Sequence, residues 1–176
     1  MMSDSNELST KKKKSIRKWA STIVIYSLLF LAVGWGVDLW RTRAVPSDQI
    51  LGLVVNDVQG DKIDLLAMSK EEPVLLYFWA TWCSVCSTVS PSVDFMSAHY
   101  PVLSIAISSG NESRIKHYIE SKGYDFKVIN DQQGVISKAW GVSQTPTIFI
   151  IDKGEIKSIT TGFTSPIGMW LRLLMA

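Results

Sequence analysis

Short apolar runs separated by turn-forming residues fill the chain from Leu51 to its C-terminus. Residues 74–79, 102–107 and 147–151 are almost continuously apolar, which is typical of strands covered on both faces of a sheet. The segments 53–58 and 62–66 flank a short turn that contains Gly60, and this pattern predicts a hairpin. Residues 155–161 predict a further strand that pairs with 147–151 across a tight turn.

Two segments show the spacing of helices. Asn111 is a capping residue ahead of a buried stripe formed by Ile115, Tyr118 and Ile119, and Gly123 is the expected end of that helix. Residues 166–174 predict a closing helix, with the side chains of Met169, Trp170 and Leu173 expected in the core. Strands that alternate with helices predict an α/β domain with a mixed sheet over residues 51–176, preceded by a linker at 41–50.

The N-terminal part has a different pattern. Residues 19–37 contain no charged side chain, and as a helix they would span roughly 28 Å, close to the thickness of a bilayer core. Six Lys and Arg residues precede this run, whereas only Arg41 and Arg43 follow it closely. This asymmetry predicts a cytoplasmic basic arm at 1–18, a transmembrane anchor at 19–40 and a domain on the external side. The alternative is a cleavable signal peptide, for which Ala32-Val33-Gly34 is a poor cleavage site.

Composition excludes a disordered chain, and the distribution of charge argues against nucleic-acid binding by the folded domain. Apolar residues make up 47% of the 176 residues and charged residues 19%, which excludes a disordered chain. The formal net charge is +2, but residues 1–40 carry six basic and three acidic groups while the rest carries 12 basic and 13 acidic groups. The basic character therefore belongs to the arm, and we expect no binding of nucleic acid by the folded domain.

The chain's two cysteines lie in Trp82-Cys83-Ser84-Val85-Cys86, between a predicted strand and a predicted helix. At a helix N-terminus, unpaired N–H groups and the helix dipole favour a thiolate, so Cys83 is the expected nucleophile. Cys86 lies one turn further on and is the expected resolving thiol. A zinc site would need two more ligands, and the only histidines, His99 and His117, stand apart, so we expect no metal site. A purely structural disulfide would close too small a ring to constrain much of the unfolded chain.

Residues 78–86 resemble the active-site segment of thioredoxin-fold proteins. Pro91 is similar to the proline that kinks the active-site helix in that family, and Thr145-Pro146 is similar to its cis-proline segment. The resemblance implies a thioredoxin-like fold and a substrate groove in which the backbone of Thr145 pairs with an extended segment beside Trp82 and Pro146. It implies no cofactor beyond the two cysteines.

The leading hairpin, with an extra helix and strand ahead of Pro146, resembles the membrane-anchored TlpA/DsbE-like branch of this family. Within it the chain is most similar to the ScsD type from bacterial copper-sensitivity-suppressor clusters. That resemblance implies a single-pass anchor in the bacterial inner membrane, a periplasmic domain, a disulfide-containing periplasmic protein as substrate and a part in copper tolerance. It also implies electrons supplied by a membrane thiol transporter of the DsbD/ScsB type.

Three positions depart from the family pattern. Tyr77 stands where thioredoxin has a buried aspartate, and a tyrosine is a poor base at neutral pH. Thr147 stands where the members that serve cytochrome c maturation carry a glutamate, which argues against that role. Ser84-Val85 lacks the histidine of the strongly oxidising members, and this favours a reductant.

Two other functions remain open from the sequence. A copper(I)-binding or delivery module would use the two thiolates, with Met96 as the nearest additional soft ligand. A thiol peroxidase would carry threonine three residues before its reactive cysteine, but that position is Ala80. The leading hypothesis is a membrane-tethered thiol–disulfide oxidoreductase that reduces a protein partner.

Overall fold

The structure is a computed structural model that describes residues 52–176 together with Thr22, Ile25, Tyr26 and Leu29. These four N-terminal residues are helical. Within the described part of the chain, no helix has the length and apolar character needed to cross a membrane. Apart from those four residues, the predicted arm at 1–18, anchor at 19–40 and linker at 41–50 lie outside the described residues and stay predictions.

A two-stranded hairpin opens the described domain. Strands β1 (Val54–Asn56) and β2 (Lys62–Asp64) pair antiparallel, and the Asp57 carboxylate accepts the N–H groups of Gln59 and Asp61 in the turn. The predicted second strand extended to residue 66, but the observed strand ends at Asp64. The reason is that the Asp64 carboxylate accepts the N–H of Ala67 and begins helix α1 (Leu65–Glu71).

The central sheet has five strands in the order β5-β4-β3-β6-β7. The strands are β3 (Val74–Trp79), β4 (Val102–Ile107), β5 (Lys127–Asp131), β6 (Thr147–Asp152) and β7 (Glu155–Thr161). β3, β4 and β5 run parallel, whereas β6 is antiparallel to both β3 and β7. The predicted mixed sheet is confirmed.

Every residue of the central strand β3 is buried, because both of its faces are covered. Leu75, Tyr77 and Trp79 point into one apolar cluster, and the alternate residues of the strand point into the other. The first cluster includes residues of the longer helices, and the second includes the hairpin, α1 and Trp140. The continuous apolar pattern of this strand therefore reflects two cores, one on each side of the sheet.

Four further helices follow: α2 (Ser84–Ser97), α3 (Glu112–Lys122), α4 (Val135–Ala139) and α5 (Pro166–Leu174). The predicted limits of α3 are confirmed, since Asn111 accepts the N–H of Arg114 and Gly123 adopts a left-handed conformation at its end. In α5, Met169 and Leu173 are buried as predicted. The core assignment of Trp170 is wrong, because the amphipathic helix turns that side chain outward and leaves it 47% exposed.

Candidate active site

The topology brings three chain segments to one edge of the sheet. Parallel pairing aligns Trp79 of β3 with Ala106 of β4, so the two strands end at the same edge. Antiparallel pairing aligns Phe78 with Thr147, so β6 begins where β3 ends. The segments after β3, after β4 and before β6 therefore meet around the start of α2. The cysteines and Pro146, which are far apart in the sequence, come together at this edge.

Cys83 and Cys86 form a disulfide at the start of α2. Cys83 is the N-cap residue, and its sulfur accepts the backbone N–H of Cys86 over 3.1 Å. Cys83 is half-buried, whereas Cys86 is buried, with 1% of its surface exposed. The Cys83 sulfur is therefore the accessible one, and the N-terminal N–H groups of α2 are placed to stabilise it as a thiolate.

The segment before β6 lies against this disulfide. The sulfur of Cys83 is 3.7 Å from the carbonyl oxygen of Thr145, and the peptide bond between Thr145 and Pro146 is cis. Thr145 is half-buried and Pro146 is buried. The hydroxyl of Thr147 donates to the carbonyl of Gln144 over 2.8 Å and so closes the turn that carries Thr145.

Trp82 lies on the surface beside the disulfide, with 65% of its area exposed. Its indole N–H donates to the carbonyl of Ser108, in the segment after β4, over 3.1 Å. The backbone N–H of Thr81 donates to the hydroxyl of Ser109 over 3.0 Å. Two hydrogen bonds thus join the segment before Cys83 to the segment after β4 and hold the Trp82 ring at the surface.

Sequence reasoning missed Ser108 and Ser109. Ser109 is buried, and its hydroxyl also donates to the carbonyl of Ile107, while Ser108 has a left-handed backbone with φ of 44°. Few residues other than glycine adopt this conformation, so a constraint at this position is expected. The available signal was a run of small polar residues, Ser108-Ser109-Gly110-Asn111, directly after a buried strand.

Tyr77, which stands where thioredoxin has an aspartate, is fully buried beneath α2. Its hydroxyl lies 3.0 Å from the hydroxyl of Ser90 and donates to the carbonyl of Cys86 over 3.4 Å. Burial raises the pKa of Tyr77 above its ordinary value, and the hydrogen bond with Ser90 opposes this rise only in part. The phenol is therefore neutral at physiological pH and acts as a hydrogen-bonding group, not as a base.

The remaining aromatic and histidine candidates lie away from this chemistry. Trp79 is in the core, where its indole N–H donates to the hydroxyl of Ser104. His99, just after the end of α2, makes a tilted ring contact with Phe95, and His117 is exposed on α3. Among the described residues, no group of three or more His, Cys, Asp or Glu side chains is arranged to hold a metal ion.

The five residues predicted for the site are thus placed at one edge of the sheet: Trp82, Cys83, Cys86, Thr145 and Pro146. A mixed sheet flanked by helices, with a cysteine pair at the start of a helix and a cis-proline beside it, defines a thiol–disulfide oxidoreductase of the thioredoxin-like type. Residues 46–159 match the AhpC/TSA family, and the chain belongs to that family.

Curated relatives agree with this class. The chain is 35% identical over 150 residues to a thioredoxin-like protein of Haemophilus influenzae, a match that covers 85% of this chain and 89% of the relative. It is 28% identical over 162 residues to the thiol–disulfide oxidoreductase ResA of Geobacillus thermodenitrificans, which covers 85% and 90% of the two chains. The fold is also similar to that of a secreted Mycobacterium tuberculosis disulfide oxidoreductase homologous to Escherichia coli DsbE. That match has a TM-score of 0.64 at 21% identity and covers 73% of this chain and 99% of the other.

Proposed function

We propose that this oxidoreductase is tethered to the bacterial inner membrane and reduces disulfides in a periplasmic protein partner, with Cys83 as the nucleophile and Cys86 as the resolving thiol. The observation that supports these roles is the unequal access to the two sulfurs. Cys83 is half-buried at the N-cap of α2, whereas Cys86 is buried. A substrate sulfur can approach Cys83 directly, but it would have to displace the first turn of the helix to reach Cys86.

The reduced protein would act in two exchange steps. The Cys83 thiolate attacks one sulfur of the substrate disulfide, a mixed disulfide forms, and the other substrate sulfur leaves as a thiolate that takes up a proton. Cys86 then loses its proton and attacks Cys83, which releases the second substrate thiol and closes the Cys83–Cys86 disulfide. Two electrons pass to the substrate. The carbonyl of Thr145, 3.7 Å from the Cys83 sulfur, lies where an extended substrate backbone would pair.

The residues between the two cysteines favour electron flow from this protein to its substrate. Ser84 and Val85 bring no positive charge to the Cys83 sulfur, so its thiolate is stabilised by the helix N-terminus without a neighbouring cation. A dithiol with moderate thiolate stabilisation is a better reductant than one whose reduced form is strongly stabilised. We propose that a membrane thiol transporter of the DsbD/ScsB type supplies the electrons and that the activity contributes to copper tolerance, as in the ScsD type.

The reduction potential of the Cys83–Cys86 couple tests this direction. The full-length protein in mild detergent would be equilibrated with glutathione or dithiothreitol redox buffers, and the fraction of disulfide would be measured by thiol alkylation and mass spectrometry. We expect a value of about −270 to −200 mV, the range of reducing members of the fold. A value near about −120 mV would make the protein an oxidant and reverse the proposed electron flow. Failure to observe a reversible couple would favour the copper(I) module.

The proposed location has a separate test. In intact cells whose outer membrane has been permeabilised, a membrane-impermeant maleimide should label the reduced Cys83, and the protein should sediment with membranes after alkaline washing. In a control, a fluorescent maleimide is added only after the cells are lysed, and this measures the total labelling of the protein. Labelling only after lysis, or release of the protein by the wash, would contradict the external, membrane-tethered location.

A further inference from the structure

The segments that surround the disulfide contain no ionisable side chain other than the cysteines. We call residues 80–88, 108–111, 141–147 and 161–165 the uncharged rim, and none of them is Asp, Glu, Lys, Arg or His. Because 19% of the chain is charged, 25 residues of its average composition would include about five charged ones. The absence of charge from all four segments at one edge of the sheet is therefore a property of this site.

Three large apolar side chains of the rim are exposed. Trp82 is 65% exposed, Val85 is 43% exposed and Phe163 is 67% exposed. Trp82 directly precedes Cys83, and Val85 lies between the two cysteines. Isolated exposed apolar residues are ordinary, but a group around a reactive sulfur is a surface for binding an apolar partner segment.

Phe163 lies in the segment after β7, which the sheet connects to the segment before β6. The backbone N–H of Gly162 donates to the carbonyl of Pro146 over 2.8 Å, and Thr161 pairs with Thr147 across β7 and β6. The chain segment that carries Phe163 is therefore bonded to the segment that lies against the Cys83 sulfur. These contacts connect the segments one after another, from Cys83 to Thr145 and from Pro146 to Gly162, the residue before Phe163.

The first charged residues after the rim segment 108–111 have opposite charges. Glu112 and Arg114 lie in the first turn of α3, one acidic and one basic. The side chain of Arg114 packs over Gly110, where an added Cβ would lie 2.8 Å from its Cδ. These two residues add no net charge on this side of the site, and neither of them belongs to the rim itself.

Resting on the proposed function, we infer that the substrate of this site is a protein disulfide whose cysteine is flanked by uncharged, apolar side chains in an extended segment. Such side chains bury area against Trp82, Val85 and Phe163. A charged flanking side chain would lose hydration against the rim without gaining a counter-charge from any rim residue, whichever its sign. Selection by the rim therefore disfavours acidic and basic substrates alike.

Four peptide disulfides test this selectivity. The probes are disulfide-linked homodimers of blocked pentapeptides in which the central cysteine is flanked by Leu and Val, by two Ser, by two Asp or by two Lys. Reduced full-length protein in detergent is mixed with each probe, and the second-order rate constant is followed by mass spectrometry of quenched samples. Each reaction consumes one protein dithiol and one peptide disulfide and yields the protein disulfide and two peptide thiols. Each rate constant is divided by the rate constant for reduction of the same probe by dithiothreitol, which removes differences in the intrinsic reactivity of the probes.

We expect the normalised rate constant of the Leu/Val probe to exceed those of both charged probes by about tenfold, with the Ser probe between them. The ratio of the Leu/Val rate constant to those of the charged probes should stay the same from low to moderate ionic strength. Salt screens interactions between charges, and the rim residues carry none. Faster reaction of either charged probe, or equal rates for all four, would overturn the inference.

Phe163→Ala and Phe95→Ala form a matched pair. Phe95 is 61% exposed on α2, far along the helix from the disulfide, so both variants remove a similarly exposed ring. Phe163→Ala should lower the rate constant of the Leu/Val probe about fivefold while changing the charged probes much less. Phe95→Ala should change the Leu/Val rate by less than about twofold. Equal effects of the two substitutions on the rate constant of the Leu/Val probe would show that Phe163 is not part of the substrate-binding surface.

A small neutral disulfide separates failure of this inference from failure of the proposed function. The reduced wild-type protein should reduce 2-hydroxyethyl disulfide, which is too small to contact the whole rim. Reduction of this compound without selectivity among the peptides would contradict only the substrate class. No reaction with any disulfide by a folded, fully reduced protein would contradict the exchange function itself.

Discussion

The phenol oxygen of Tyr77 lies 3.0 Å from the hydroxyl of Ser90, and this contact links the central strand to the helix that begins at the disulfide. Both residues are buried, and the same phenol donates to the carbonyl of Cys86. A neutral hydroxyl pair thus lies beneath Cys86, at the position where thioredoxin has a carboxylate. The site therefore holds its buried helix turn by hydrogen bonds that need no ionised group.

Replacement of Tyr77 by Phe should change how stability depends on pH. Burial raises the pKa of Tyr77 above its usual value of about 10, so the folded state keeps a proton that the unfolded state loses in alkaline solution. The free energy that this group contributes is complete below about pH 10 and falls as the pH rises further. Near neutral pH, Tyr77→Phe should cost about 1 kcal/mol through the lost hydrogen bond with Ser90.

Urea unfolding at about pH 8 and about pH 10.5 measures both effects, since a difference in free energy of unfolding between variants is well determined by this method. The gap between wild type and Tyr77→Phe should narrow at the higher pH. Tyr100→Phe is the control, because it also removes one phenol but from a half-buried position. Parallel losses of stability in wild type and Tyr77→Phe would show that Tyr77 does not cause the alkaline slope.

Single substitutions of the cysteines should have different consequences. Cys86→Ser leaves Cys83 able to attack a substrate but unable to release it, so mixed disulfides should accumulate in cells and appear on non-reducing gels. Cys83→Ser should trap none and should lose exchange with every disulfide. Mass spectrometry of the trapped species identifies the partner. Trapping through Cys86 in the Cys83→Ser protein would reverse the assigned roles.

The segment after β4 should affect the site through Ser109. Ser109→Ala removes the acceptor of the Thr81 N–H, and we expect a loss of about 1–2 kcal/mol in the free energy of unfolding, with slower exchange at Cys83. Ser108→Gly is the matched control, because it relieves a left-handed backbone and keeps the carbonyl that the Trp82 indole binds. It should raise stability by about 0.5–1 kcal/mol. Destabilisation by Ser108→Gly would contradict the left-handed conformation of this residue.

Membership of the AhpC/TSA family makes peroxide a necessary test. We expect the reduced protein to consume hydrogen peroxide no faster than an ordinary exposed thiol, because Ala80 leaves no hydroxyl three residues before Cys83. The measurement is peroxide loss in the presence of dithiothreitol, with Cys83→Ser as the blank. Rapid, Cys83-dependent consumption would favour the peroxidase over the disulfide reductase.

Local signals predicted much of the sheet and the longer helices. The limits of β3, β4, β7 and α5 agree with their sequence patterns, since buried strands are continuous apolar runs and caps are single residues. The local pattern does not single out α1 or β5. α1 has seven residues and begins directly at the end of a strand, so its capping residue Asp64 also fits a strand. β5 mixes charged and apolar residues and becomes a strand through its pairing with β4.

The cysteine pair, its place before a helix and the apolar runs of the sheet follow from the amino-acid order alone, because these features depend on neighbours a few residues apart. The hydrogen bond from the Trp82 indole to the carbonyl of Ser108, and the bond that ties the segment of Phe163 to Pro146, arise only when the chain has folded. Those relationships depend on strand order and direction. Strand pairing joins residues that are distant in the chain, so the spacing of residues along the sequence carries no direct sign of them.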